Sequence, residues 1–267
     1  MTTQRVNNAK NLLGILGILL MFVGGIIFLP LIALPFYPSE TKYAVHFIIP
    51  GAATIIIGYF LNSLRAKEHS NLTLRQDTVI ILLTWLLAGL FSSLPFVLSG
   101  MLTFSQAYFE AMSGWTTTGL SVVDVTTAPH IFLLFRTIMQ FFGGLGIVLV
   151  VVSALSETFG MRLYYAEGRT DKLLPNLAKS ARMILLIYMG YFVIGTVLYV
   201  VFGMPVFDAV NHCMAALSTG GFSTKVDSIG AYQSLPIELI TIILMLLGTT
   251  NFLAHMLLVK RKFRAFF

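Results

Sequence analysis

The chain has 267 residues, 57% of them hydrophobic and only 10% charged, against roughly 45–50% apolar and about a quarter charged in an ordinary soluble domain. That excludes a water-soluble enzyme domain, a disordered chain and a nucleic-acid binder; the net charge of +6 comes from basic residues that flank apolar stretches. The single cysteine, Cys213, can form neither an internal disulfide nor a zinc cluster.

About 20 apolar residues are needed to cross roughly 30 Å of hydrocarbon as a helix. In chain order, six stretches qualify: Leu12–Leu34, Tyr43–Leu64, Thr78–Ser99, Ile131–Ser156, Met183–Gly203 and Leu239–Val259. The first follows Arg5 and Lys10, but its apolar core is too long for a signal peptide and no small-residue cleavage site follows it. With the N-terminus in the cytoplasm, the inner segments carry Arg5, Lys10, Arg65, Lys67, Arg75, Arg162, Arg169, Lys172, Lys179, Arg182, Lys260, Arg261, Lys262 and Arg264. The outer ones carry only Lys42 and Lys225 as basic residues, beside the acids Glu40, Glu110, Asp124, Asp208, Asp227 and Glu238. By the positive-inside rule both termini are expected in the cytoplasm.

The connections 100–130 and 204–236 are too apolar for solvated outer loops. Each opens with a helix-period stretch, Phe104 to Trp115 and Val206 to Leu217, and continues into small hydroxyl residues and glycine, Thr116-Thr-Thr-Gly-Leu-Ser121 and Ser218-Thr-Gly-Gly-Phe-Ser223. A shift of 102 lays Ala107 on Ala209, Met112 on Met214, Thr117 on Thr219, Gly119 on Gly221 and Ser121 on Ser223. One such cluster between two spans is an ordinary turn. Two with matching helices and offsets form an internal repeat of span, half-helix, Thr/Gly strand, span. Irregular backbone at membrane depth is tolerated only when buried in protein or lining a watery cavity. Its carbonyls can there replace the water shell of a cation, with threonine hydroxyls as further ligands of an extended strand. Glycine permits φ > 0 or close approach, and the half-helix aims its negative C-terminal end at the cation.

Phe109-Glu-Ala-Met-Ser-Gly-Trp-Thr-Thr-Thr-Gly119 and Leu217-Ser-Thr-Gly-Gly-Phe-Ser-Thr224 resemble the first and second pore loops of the Trk/Ktr/HKT potassium transporter superfamily, closest to its bacterial TrkH-type members. Gln140-Phe-Phe-Gly-Gly-Leu-Gly146 resembles the start of the helix after the first pore loop. The resemblance covers nearly the whole chain. It implies an all-α integral membrane protein: an N-terminal two-span hairpin (1–70), then span–pore-loop–span repeats at 71–160 and 161–267, half of a fourfold pseudosymmetric pore. It further implies potassium uptake through a selectivity filter of Thr116, Thr117, Thr118, Gly119, Ser218, Thr219, Gly220 and Gly221, with potassium at Thr117, Thr118, Thr219 and Gly220. Glycine rather than serine at 119 and 221 favours potassium over sodium. The implied partners are membrane lipid, a second copy in a homodimer and a cytoplasmic nucleotide-binding TrkA-like regulatory subunit, in the cell inner membrane. Only two of the family's four repeats are present, as expected of a fragment or a half-protein.

Other residues admit two readings each. Arg136 either repels cations or shapes the outer vestibule, or else it snorkels to water or pairs with Asp124. Glu110 and His212, at equivalent places in the half-helices, either tune cations or hydrogen-bond to support the filter, the second being favoured. Asp124 and Asp227 either concentrate cations or are solvated loop acids. Gly143, Gly144 and Gly146 are expected to serve close packing rather than bending, and Gly248-Thr-Thr-Asn251 breaks the last apolar run, as a pore-facing kink would. No catalytic constellation is present, so no enzyme activity is expected. The rival functions are a secondary carrier with broken helices moving a small solute, and a non-conducting half-protein that assembles with a partner.

Overall fold

The computed structural model describes residues 2–65, 74–146, 177–252 and 254–255. Among them regular structure is entirely helical: α1 (Thr2–Phe28), α2 (Ala44–Ser63), α3 (Leu74–Leu98), α4 (Phe104–Trp115), α5 (His130–Leu145), α6 (Leu177–Val201), α7 (Val206–Leu217) and α8 (Leu235–Thr249), with 3-10 turns at Leu29–Ala33, Pro38–Tyr43 and Ser228–Tyr232. Four segments are long and apolar enough to cross a bilayer: Val6–Ala33, Pro38–Ser63, Thr78–Leu98 and Ala181–Val201. The fourth and sixth expected spans are represented by the shorter α5 and α8; 147–156, the inner segments 66–73 and 157–176, and the basic run from Lys260 lie outside the described residues.

Local chemistry sets the helix limits. Pro30 and the end of α1 coincide with a switch to 3-10 geometry. Helix α8 begins at Leu235 rather than Leu239, because Pro236 in its first turn is pre-organised for a helical start. It stops at Thr249, with Thr250 extended (ψ 136°). Gly248-Thr-Thr-Asn251 thus interrupts the helix, and helical backbone resumes at Phe252. Inside α2, the hydroxyl of Thr54 donates to the Pro50 carbonyl one turn back at 2.6 Å, satisfying a buried polar side chain within the apolar helix.

Helices α1 and α2 form the expected hairpin, packed through glycines: α2's Gly58 backbone lies against Gly17, and Gly51 against Gly24 and Phe28. Small residues at such crossings let backbones approach where no hydrophobic force drives helices together. Phe47 of α2, Phe96 of α3, and Phe132 and Phe135 of α5 interlock with ring centroids 5.0–5.8 Å apart. At its other end α5 packs on both short helices, α4 and α7. Helix α5 is therefore the central post, against which the hairpin and both Thr/Gly segments are set.

Candidate functional site

The short helices α4 and α7 cover the residues expected from periodicity, and both end in the same way. Past α4, Thr116 N–H donates to Met112 O (2.9 Å), Thr117 N–H to Gly114 O (3.1 Å) and Thr118 N–H to Ser113 O (3.0 Å). Past α7, Ser218 N–H donates to Met214 O (3.0 Å), Thr219 N–H to Ala216 O (3.0 Å) and Gly220 N–H to Ala215 O (2.9 Å). Every partner is displaced by 102. The last two bonds of each set are those of a Schellman cap, whose C′ residue is left-handed. That residue is threonine both times, Thr117 and Thr219, each at φ 54°. Glycine is the usual occupant, and a β-branched residue there is an outlier holding about 1–3 kcal/mol of strain.

This corrects the expectation of an extended threonine strand, because the helix cap demands αL backbone first. Thr116 and Ser218 also do not offer free hydroxyls: Thr116 Oγ1 donates to Met112 O at 2.7 Å and Ser218 Oγ to Ala215 O at 3.1 Å. Thr118 Oγ1 lies 2.8 Å from Thr116 Oγ1. The two segments nevertheless meet, Gly119 against Gly220 and Gly221. The Gly220 carbonyl stands where a β-carbon of Gly119 would be, so only glycine fits at 119. Gly119 and Gly221 share positive φ, 80° and 86°, yet Gly221 faces open space.

Behind the two segments lies a buried polar network. Arg136 is 2% exposed and Glu110 0%. Arg136 donates through Nε to Glu110 Oε1 (2.6 Å), through Nη2 to Ser121 Oγ (2.7 Å) and through Nη1 to the Ser223 carbonyl (3.2 Å). Glu110 also accepts from Ser121 Oγ (2.9 Å) and Val122 N–H (2.8 Å). Both readings of Arg136 are therefore corrected: it neither lines a vestibule nor snorkels to Asp124, because its demand for acceptors is met inside. The supporting reading of Glu110 and His212 agrees with the geometry. His212 Nε2 lies 3.0 Å from Ser223 Oγ and its Nδ1 2.8 Å from Asp208 O, so each half-helix holds the serine eleven residues on, Ser121 or Ser223.

The outer acids divide. Asp124 is exposed and folds its loop, accepting from Thr126 Oγ1 (2.6 Å), Thr126 N–H (2.9 Å) and Thr127 Oγ1 (3.1 Å). The Thr126 hydroxyl, and then its amide, hold the carboxyl below its usual range. Asp227 is exposed at the start of a 3-10 turn. Asp208 accepts from Thr224 Oγ1 (2.6 Å) and pairs with Lys225 Nζ (3.2 Å).

Packing is confirmed as the role of two of the α5 glycines. The Trp115 carbonyl occupies the β-carbon position of Gly143, and Ser218 presses on Gly144. In α8 the Leu217 carbonyl fills the same place at Gly248. Gly146 ends α5 with φ 88°. Sequence reasoning missed Glu40, which caps α5 by accepting from His130 N–H and Ile131 N–H, both at 2.9 Å; ninety residues of separation leave no local signal. It also missed Gln140, whose Oε1 accepts from Phe222 N–H at 3.1 Å. An uncharged polar residue in an apolar helix run was the available sign.

Residues 44–265 match the TrkH family, described as cation transport protein. The chain is 33% identical over 252 residues to the Trk system potassium uptake protein TrkH of Salmonella typhimurium, covering 90% of this chain and 51% of that protein. It is 33% identical over 242 residues to the Trk system potassium uptake protein TrkG of Escherichia coli K12, covering 87% and 50%. It is 32% identical over 258 residues to an uncharacterized cation transporter of Methanocaldococcus jannaschii, covering 95% and 53%. The crystal structure of the potassium transporter TrkH from Vibrio parahaemolyticus superposes with a TM-score of 0.78 at 27% identity, over 92% of this chain and 51% of that one. The chain spans about half the length of the curated relatives it matches. Apolar helices joined by two short, identically capped ones, a family match over most of the residues and a shared fold lead to one assignment: the chain belongs to the TrkH family of cation transport proteins.

Proposed function

We infer that this chain supplies pore-forming, ion-selecting elements of a Trk-type potassium uptake system. One observation carries the reading: two Thr/Gly segments with the same cap, hydrogen bonds and positive-φ positions meet at Gly119 and Gly220. Two ordinary turns would have no reason to share a strained threonine. Backbone carbonyls at 116–119 and 218–221 take the place of water around potassium, held at Thr117, Thr118, Thr219 and Gly220. Asp124 and Asp227, charged and solvated, raise the cation concentration outside. The ion then descends an inside-negative potential worth about 2.3 kcal/mol per charge per 100 mV. In this reading both termini face the cytoplasm, the basic inner segments meet a nucleotide-binding regulatory subunit, and the protein pairs as a dimer in the inner membrane.

The test is rubidium and potassium uptake, with sodium as competitor, in cells lacking their own potassium uptake and expressing the gene product that carries residues 1–267. Wild type is expected to prefer potassium, and Gly221→Ser to lose about tenfold of that preference, a change of roughly 1.4 kcal/mol, at normal protein level. With open space at Gly221, the serine strains φ or projects its hydroxyl without clashing. Uptake of a neutral solute instead would favour a broken-helix carrier, and unchanged ion preference in Gly221→Ser would remove position 221 from the filter.

A further inference from the structure

Helix α5 carries a polar face that α8 does not share. The contacts of Gly143 with Trp115 and of Gly248 with Leu217 align the two helices at a shift of 105. On that register Arg136 and Gln140, one turn apart on α5, correspond to Thr241 and Met245 of α8. Both α5 side chains reach across to the second Thr/Gly segment. Arg136 donates to the Ser223 carbonyl and lies 4.2 Å from the centre of the Phe222 ring. Gln140 accepts from the Phe222 amide at 3.1 Å.

Gln140 is 0% exposed, and its Nε2 has no hydrogen-bond partner among the described residues. A buried amide with an unused donor is unfavourable, where methionine or leucine would fill similar volume without that penalty. Packing therefore does not account for it; position does. The amide lies flat against Gly220: a β-carbon there would stand 2.6 Å from Oε1 and 2.7 Å from Nε2. On the other side, the Gly220 carbonyl meets Gly119. The Gly220 peptide is thus clamped between the Gln140 amide behind and the first segment in front.

Resting on the filter reading above, we propose that Gln140 is a positioning residue for ion selectivity: it touches no ion, but fixes how far the Gly220 carbonyl stands from Gly119 and so sets the spacing between the two filter segments. Without it, Phe222 N–H loses its acceptor and the Gly220 peptide is no longer tied to α5. The ring of carbonyls then widens or becomes irregular, and discrimination against sodium falls.

The experiment is the same uptake assay on the gene product that carries residues 1–267, with four variants, Gln140→Ala alone being the one that completes the cycle described last. Gln140→Leu is expected to raise sodium's competition against potassium about tenfold, with maximal potassium uptake and protein level near wild type. Gly220→Ala, at a position without positive φ, is expected to lose preference because its methyl strikes the Gln140 amide. Gly220→Ala combined with Gln140→Ala is expected to recover part of it, since the second change reopens the space. Unchanged sodium competition in Gln140→Leu overturns the proposal and leaves the filter reading standing. If Gln140→Leu does not accumulate, the coupling decides: additive effects of the two alanines overturn the proposal and recovery supports it. A wild-type protein that moves no alkali cation overturns both readings.

Discussion

At the residue scale, the Arg136–Glu110 pair shows how a charge can be kept in an apolar bundle. Two ions removed from water are worth holding only when their remaining donors and acceptors are also met. Here the guanidinium has a carboxylate, a hydroxyl and a carbonyl, and the carboxylate has three donors. Removing one partner strands the other: Arg136→Leu is expected to destabilise the protein by about 3–5 kcal/mol. Neutralising both, with Arg136→Leu and Glu110→Gln together, is expected to cost less than Arg136→Leu alone. Thermal unfolding of purified wild type and the two variants in detergent checks this, and a double variant no more stable than Arg136→Leu would show that the pair is not coupled. The supporting role of Glu110 was legible beforehand but its partner was not, since Glu110 and Arg136 are 26 positions apart and only the fold puts them in reach.

At the scale of elements, glycines set how closely α5 and α8 meet the short helices. Gly143 accommodates the Trp115 carbonyl, a backbone atom that cannot swing away as a side-chain tip could. Gly143→Ala therefore has to push α4 off α5, and overpacking of this kind costs about 1–3 kcal/mol. Gly190→Ala, on α6 with open space at the same atom, is the control and is expected to be neutral or slightly stabilising, as helix propensity favours alanine. Melting temperatures of the two variants check the contrast; equal shifts would mean that the close approach at Gly143 is not what holds α4. The elements themselves were largely readable from the sequence. Hydropathy gave the long helices, and periodicity placed Phe104–Trp115 and Val206–Leu217 correctly, because their polar and small residues fall at helical spacing. The cap geometry at Thr117 and Thr219 was not readable, because β-branched residues normally signal extended backbone and the demand for αL arises only from the carbonyls left over by the preceding helix.

For the whole molecule, the arrangement around α5 leaves apolar faces outward, including Leu186, Val193, Ile194 and Val197 on α6 and Ile242, Ile243 and Leu246 on α8. Thr118, Thr219 and Gly221 are exposed as well. Backbone polar groups that meet lipid without partners are penalised by several kcal/mol each. On the filter reading, two Thr/Gly segments form at most half of a fourfold ring of carbonyls. The 267 residues by themselves, purified and reconstituted in liposomes, are accordingly expected to show no potassium-selective flux. Rubidium uptake into such vesicles, driven by a potassium gradient, checks this; robust selective uptake would mean that two copies close a ring between them.

The left-handed threonines have a consequence for protein engineering. Glycine at 117 or 219 would relieve an L-residue penalty of about 1–2 kcal/mol, part of it offset by the extra freedom glycine brings to the unfolded chain. A redesign that ranks substitutions by folding energy alone would therefore be drawn to these two positions. It would there replace two residues of the proposed filter segments. On the filter reading, thermostability and ion discrimination are in this way set against each other twice, 102 residues apart, and a hardened version of this fold should leave both threonines alone and seek its gains in the outward-facing helices.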